Sequence, residues 1–547
     1  MKSAASRPYG RWLCAAVAVT VLFKLWLSAA LPVTGDEAYF MYWGFAPALG
    51  YYDHPPMVGW MFALSSLVSD AGWWLRLPVT LLPVFIALLL YAVLRRALPG
   101  QDAGERAALA ALGFLLVPPE VWNVFGTTDA PLAFWSFLSG LAFWRAARVQ
   151  SAGWFAAAGA LLGLALLSKY FAVLLGLAYL AYVLVSPRAE RQWRGFIVTC
   201  AAALPFAALN LYWNYQNCWA NLEFNLYNRN DDAGLSAKTP LLYMLTVLYL
   251  LSPVLLWGLW RKARMGGLVA RLRGDTDARL MLTLCAAPFV LFAALSLVKQ
   301  IGLHWPLSFV PFFYIAGALL LDLRSLRRSA AFLAVFSAIH VAAIAAVSFL
   351  PLETWKNARL YDGIVFHVRI ADILQKIGPY AEPRGNDGGG GYELAADGYS
   401  AAITLSYYRL REAELRAGGD ARQLKAAMAA GRPPYVFVFG EASSHARHDD
   451  LVTDFRRLAG KNIVILRKSP PQDADYKPYF AGVEYRDFDI AGARYYLVLG
   501  RAFDYPAYRT AVLEKVRQRY YGVPGYLPHG RCVFCERYAD SGACPDR

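Results

Sequence analysis

Charge is what this sequence has least of. Asp, Glu, Lys and Arg make up only 17% of its 547 residues, against 58% hydrophobic and 15% aromatic. With a mean hydropathy of +0.34, that balance excludes an ordinary soluble protein and points to a polytopic membrane protein. No internal repeat is visible. Cysteine is sparse until the C-terminal tail, and the glycine-rich "GNDGGGGYE" lacks the preceding strand and following helix of a phosphate-binding loop, so it reads as a flexible loop. The basic residues behind the net charge of +15 form no single patch, which removes nucleic acid as a partner.

What is present is a series of apolar runs of about 20 residues, the length that crosses a bilayer. They fall near 12–33, 76–98, 106–126, 130–149, 152–168, 169–186, 194–214, 240–260, 279–299, 303–322 and 329–350, about eleven spans. The connecting segments alternate in charge. One set carries Lys2, Arg7 and Arg11; Arg95, Arg96 and Arg106; Arg145 and Arg148; Arg188, Arg191 and Arg194; Arg261 to Arg279; and Arg324, Arg327 and Arg328. The other set holds only Lys169, Arg229, Lys238 and Lys299. The positive-inside rule puts the N-terminus and the first set in the cytoplasm. The first run reads as an uncleaved signal-anchor, and an odd number of spans leaves 351–547 outside.

The expected organisation is therefore a membrane domain, 1–350, whose first outer loop spans 34–75, followed by a small extracytoplasmic α/β domain, 351–547. In that domain 435–441, 462–468 and 493–503 read as strands, and "ARQLKAAMAA" and "AYRTAVLEKVRQRYY" as helices. Near the C-terminus His529, Cys532, Cys535 and Cys544 offer the residue types and CxxC spacing of a structural zinc site. On the extracytoplasmic side a disulfide is an equal alternative.

The first outer loop, "TGDEAYFMYWGFAPALGYYDHPPM", holds three carboxylates and no lysine or arginine. Its aromatic residues suit the headgroup level, on juxtamembrane helices lying at the surface. Asp36 and Glu37 are neighbours, about 100° apart on a helix, so they cannot both face one reacting atom. One can be a base while the other holds a partner; the alternative is an N-cap and a first-turn acid. Asp53 and His54, stiffened by Pro55 and Pro56, can bind a divalent metal or a phosphate-linked sugar, or simply form a turn. Asp129 stands at the start of a span, Lys169 between two apolar segments, and Lys299 and His304 beside another. Ionisable groups at such depth are functional candidates. "NLYWNYQNCWANLEFNLYNRND" mixes amides and rings suited to sugars.

The order "GDEAYFMYW", "LGYYDHPPM", "TTDAPLAFW", "LLSKYFAVLL", "WNYQN", "HWPL" resembles the bacterial branch of the protein O-mannosyltransferase-like glycosyltransferases, which have the GT-C fold. The likeness covers about the first 320 residues and extends weakly to "LAADGYSAAITLSYYR". It implies an inner-membrane, multi-pass enzyme with its C-terminal domain in the periplasm. Such an enzyme moves a sugar from a polyprenyl (undecaprenyl) phosphate carrier to a lipid A, polysaccharide or protein acceptor. The family's acidic signature maps onto Asp36 and Glu37. Asp53, His54, Asp129, Lys169 and His304 fit its recurring loops.

The chemistry then asks for a base, Asp36, and for cations at the leaving phosphate, with Lys169 first and Lys299 and Arg229 behind it. A magnesium or manganese ion held by Asp36 and His54 is a further expectation. A single displacement would invert the anomeric centre. A transporter or lipid flippase is the rival class, but such proteins tend to show inverted repeats and broken helices, whereas here the polar residues gather in loops on one side.

Overall fold

A computed structural model describes residues 9–230, 234–381, 391–416, 435–442, 447–540, 542 and 544–546. Lys2, Arg7, residues 385–390 of the glycine-rich stretch and the expected helix at 421–430 lie outside these. The chain divides into two compact units, one of Met1–Leu31, Ala71–Leu209 and Ala233–Phe349, the other of Pro32–Asp70, Asn210–Asp232 and Leu350–Arg547.

The first unit is helical, and its helices follow from apolar runs closed by polar caps. Asp275 and Asp322 cap the helices Thr276–Leu295 and Leu323–Ser348, accepting bonds from Ala278 N at 3.0 Å and Ser325 N at 2.8 Å. Arg76 donates to the carbonyls of Ser28 and Leu31, both at 2.7 Å, at the end of the helix Tyr9–Ala30. In the core, Phe143 and Tyr179 stack at 4.1 Å. The buried Ser139 hydroxyl pairs with Tyr179 Oη at 2.8 Å and donates to Ala158 O at 2.7 Å, so neither polar group is left bare.

Among the described residues five helices are long and apolar enough to cross a membrane: Tyr9–Ala30, Gly72–Ala97, Trp193–Gln216, Thr276–Leu295 and Leu323–Ser348. Helix also occupies the other expected segments, but several pieces are short. The run at 106–126 is cut into Ala103–Leu115 and Pro118–Trp122 by the proline pair Pro118–Pro119. The run at 240–260 is not one straight span. Lys238–Leu250 and Pro253–Arg264 meet at 100°, because Ser252 takes a φ of 40° and Pro253 cannot continue the preceding helix.

The second unit is built on a mixed five-stranded sheet in the order β2-β1-β3-β5-β4, with β1 Glu393–Ala396, β2 Phe437–Val438, β3 Ile463–Arg467, β4 Phe480–Ile490 and β5 Ala493–Phe503. β1 runs parallel to β2 and β3, while β3–β5 and β4–β5 are antiparallel. Alternation along β3 sends Ile463 and Ile465 to one core and Val464 and Leu466 to the other. β4 escapes the apolar pattern because it is an edge strand studded with Glu484, Arg486, Asp487 and Asp489, the kind of charge that blocks edge-to-edge pairing. The β4–β5 hairpin closes through Ala491 and Gly492, both at positive φ, as a two-residue turn of this kind requires. The expected helix at 507–521 is present as Tyr505–Tyr508, a wider turn at Arg509–Leu513, and Glu514–Tyr520.

The division of the chain differs from the expected one, and of the two alternatives for the tail the structure holds the disulfide. The unit around 351–547 also takes in 32–70 and 210–232, so most of the first outer loop folds with the α/β domain rather than with the membrane helices. The tail cysteines are oxidised: Cys218 pairs with Cys532 and Cys535 with Cys544. That consumes the thiolates a zinc ion would need. His529 instead meets Asp546, Nε2 to Oδ1 3.1 Å. The cysteine that the tail by itself leaves over finds its partner 314 residues upstream.

Candidate active site

In the second unit the helix Gly35–Phe45 starts at Thr34, whose extended backbone carbonyl accepts from Ala38 N at 2.7 Å. Asp36 is therefore a first-turn residue and not the N-cap. It is exposed, while Glu37 is fully buried, so the two carboxylates have different surroundings, as neighbouring helix positions dictate. The helix packs on Met57–Ser65 and on Tyr399–Arg416. A Cβ on Gly35 would fall 2.0 Å from Ser400 Oγ, so only glycine permits that approach. Tyr39, Phe40, Tyr42, Trp43, Phe45, Tyr51 and Tyr52 are all buried, with Trp43 and Tyr51 stacked at 3.8 Å. The loop's rings thus form a core.

The close packing brings Tyr399 to Asp36, its hydroxyl donating to Oδ1 at 2.7 Å. On the same helix as Asp36, Tyr39 donates to Asp53 Oδ1 at 3.1 Å. Asp53 is buried, and burial pushes its carboxyl up to about 7; the charge of Asp36 adds to this, while its hydrogen bonds and Arg229 oppose it. Asn225 Nδ2 donates to the carbonyl of Asp53 at 3.1 Å, Asn221 Nδ2 to that of Tyr51 at 3.0 Å, and Asn228 Nδ2 to Tyr52 Oη at 3.3 Å. The amides of 221–228 therefore hold the acidic loop in place. His54 is partly buried, its ring 5.6 Å from Phe40.

Behind these rings lies a second polar group. His448 is partly buried, with its ring 5.6 Å from Tyr51 and 6.2 Å from Tyr39, and desolvation drives its pKa down to about 4. Arg447 grips Asp450 through Nε at 2.7 Å and Nη2 at 3.1 Å, and Tyr521 donates to the same carboxylate at 2.7 Å. Asp449, raised by burial to about 7, accepts from Val438 N at 3.2 Å and Thr453 at 3.1 Å.

In the first unit Lys169 Nζ lies 2.8 Å from Asp129 Oδ1, both side chains nearly buried, and the half-exposed His304 is 3.8 Å from Asp129 Oδ2. The structure thus joins three of the sequence candidates into one cluster. Lys299 is partly buried at the end of the helix Thr276–Leu295, its N–H bonded to Leu295 O at 3.1 Å.

Metal ligation finds little support in the donor set. Among the described residues, Cys218, Cys532 and Cys544 alone gather three ligand atoms within 4.8 Å, and they are in disulfides. Among the described residues no such three-ligand group includes Asp36 or His54.

Sequence reasoning misses Tyr39, which reads as one more aromatic ring, and Tyr399, which stands in "LAADGYSAA" with no assigned role. It also misses residues 447–450, which no motif marks.

Comparison with known proteins agrees with this architecture. Residues 53–213 match the family model described as dolichyl-phosphate-mannose-protein mannosyltransferase. The chain is 27% identical over 292 residues to a lipid A galacturonosyltransferase, RgtD, of Rhizobium johnstonii, a match covering 52% of this chain and 59% of that protein. It therefore spans less than two thirds of that relative's length. ArnT from Cupriavidus metallidurans shares the fold in its apo state (TM-score 0.58, 17% identity) and bound to undecaprenyl phosphate (TM-score 0.57, 16% identity). Each of these matches covers 89% of this chain and 98% of ArnT. In motif and in backbone alike, this is a multi-pass membrane protein of GT-C fold that resembles the protein O-mannosyltransferase and ArnT-like glycosyltransferases.

Proposed function

We propose that the protein is a glycosyltransferase of the inner membrane. It takes a sugar from a polyprenyl phosphate and places it on a hydroxyl of lipid A or another envelope glycan at the outer face, with about eleven membrane segments and the α/β unit in the periplasm. The observation that carries this reading is Asp36, an exposed carboxylate held at 2.7 Å by Tyr399 in the loop that bears the acidic signature. The relatives supply the donor and acceptor classes: one is a lipid A galacturonosyltransferase, and another binds undecaprenyl phosphate.

Asp36 accepts the proton of the acceptor hydroxyl as its oxygen attacks the anomeric carbon. The bond from that carbon to the lipid phosphate breaks, and the phosphate leaves with the electron pair. Tyr399 keeps the carboxylate aimed. Glu37, being fully buried, supports the helix rather than meeting substrate. Asp53, whose carboxyl is raised to about 7 by burial, remains a candidate for substrate binding in the acidic loop. The growing charge of the phosphate needs a cation; Lys169 is the candidate for that role, with Lys299 and Arg229 behind it. A magnesium or manganese ion at Asp36 and His54 would draw its remaining ligands from substrate phosphate and water.

The test is transfer of radiolabelled sugar from a panel of polyprenyl phosphates, galacturonic acid first, to lipid A and membrane extracts, with and without EDTA. Wild type should transfer with inversion, and Asp36→Asn should lose about 10²–10⁴-fold. Full activity in Asp36→Asn, or movement of lipid across the bilayer without any transfer, would overturn the reading.

A further inference from the structure

The first unit holds a groove of about 1140 Å3 that the proposed chemistry does not use. It is lined by the helices Ala172–Val185, Gly267–Gly274 and Thr276–Leu295. Its walls are aliphatic, and several of them, such as Leu184, Val185 and Val290, face outward. Four arginines, Arg188, Arg191, Arg273 and Arg279, also line it. Arg279 is buried, with its Nη1 on Leu272 O at 2.9 Å and its Nη2 on Glu190, while its Nε has no hydrogen-bond partner. A buried donor left bare is costly, and a ligand acceptor would relieve it.

The surrounding acids are already engaged. Glu190 serves Arg279, Asp275 pairs with Arg271 at 2.8 Å, and Asp277 pairs with Arg148 at 2.8 Å. Arg191 is tied to the carbonyls of Ser186 and Leu184, not to a carboxylate. Arg188 and Arg273 are exposed and have no ion-pair partner among the described residues. A groove lined by the helices Tyr9–Ala30, Ala103–Leu115 and Leu323–Ser348 offers a contrast. It measures about 770 Å3, and its arginine, Arg327, is neutralised by Glu105 at 2.7 Å.

We infer that the arginine-lined groove binds an anionic phospholipid of the cytoplasmic leaflet, with an acyl chain along the aliphatic walls and the phosphate diester at Arg188, Arg273 and Arg279. Basic pockets between membrane helices on the cytoplasmic side recognise such headgroups, and guanidinium forks suit phosphate oxygens. The leaflet rests on the orientation read from the basic segments. The binding itself does not depend on sugar transfer, so either proposal can fail without the other.

The experiment is native mass spectrometry of the delipidated full-length protein. It is titrated separately with phosphatidylglycerol, phosphatidylcholine, a polyprenyl phosphate and inorganic phosphate. Wild type should bind phosphatidylglycerol well above phosphatidylcholine. Each charge at a membrane surface alters lipid affinity about five-fold, so the Arg188→Gln/Arg273→Gln double variant should bind phosphatidylglycerol about twenty-five-fold more weakly and phosphatidylcholine unchanged. Ala286→Phe, which narrows the groove and leaves the arginines alone, should weaken phosphatidylglycerol binding. Equal binding of the two phospholipids, an unaltered double variant, displacement of phosphatidylglycerol by inorganic phosphate, or displacement by polyprenyl phosphate would each overturn the inference.

Discussion

Asp53→Asn isolates the cost of burying a charge in the acidic loop. Asp53 is buried, and its carboxyl stands at about 7 against an ordinary value of 3.8, chiefly through burial. Because the folded value is the higher one, the folded chain holds a proton that the unfolded chain has already released between these two values. Stability from this residue is therefore greatest in acid, declines as pH rises from about 4 to about 7, and is level above that. At 1.36 kcal/mol for each pH interval of one, the full effect is about 4 kcal/mol, and structural relaxation lowers it to about 2–4 kcal/mol. Asparagine keeps the shape and an oxygen to accept from Tyr39, but has no charge to bury. The variant should match wild type near pH 4 and unfold at a higher temperature near pH 8. The assay is thermal unfolding of both purified proteins from pH 4 to pH 8, followed by circular dichroism. Asp449, also raised to about 7 by burial, adds the same slope to both proteins and cancels in the difference. Unfolding midpoints that differ by the same amount at every pH would refute the reasoning.

Tyr399→Phe removes one hydrogen bond to a carboxylate, about 1.5–3 kcal/mol, so kcat should fall about 10–100-fold with little change in KM. An equal fall with an unrelated distant tyrosine variant would show a general loss of folding instead. Cys218→Ser opens a disulfide between residues 314 apart and should cost about 2–5 kcal/mol. It should also loosen the amides that hold the acidic loop, read as faster hydrogen exchange at 221–228; unchanged exchange there would separate the disulfide from the site.

Much of the helical layout was legible because membrane spans are local. A run of apolar residues identifies itself, and helix does occupy the expected segments. The limits were local too: at Ser252–Pro253 the backbone turns by 100° inside one hydrophobic run, and hydropathy averages over such a break. The strands β3 and β5 were visible in their apolar patterns, whereas β4 was hidden by its edge charges and the four-residue β1 was too short to show.

The acidic loop stood out by composition, and Asp36, Asp53, Asp129, Lys169 and His304 could all be named from residue type and setting. What the sequence by itself determined was therefore the inventory: apolar segments, their alternating charge, and the chemistry available in the loops. Tertiary structure decided the partnerships. Tyr399 reaches Asp36 from 363 positions away, and Cys218 finds Cys532 across 314. The loop's rings are buried, on a helix that packs against one of the C-terminal segment. The exposure of Asp36, the burial of Glu37 and the raised pKa of Asp53 all follow from those distant contacts. Solvent access and dielectric belong to the assembled fold, and no window of neighbouring residues carries them.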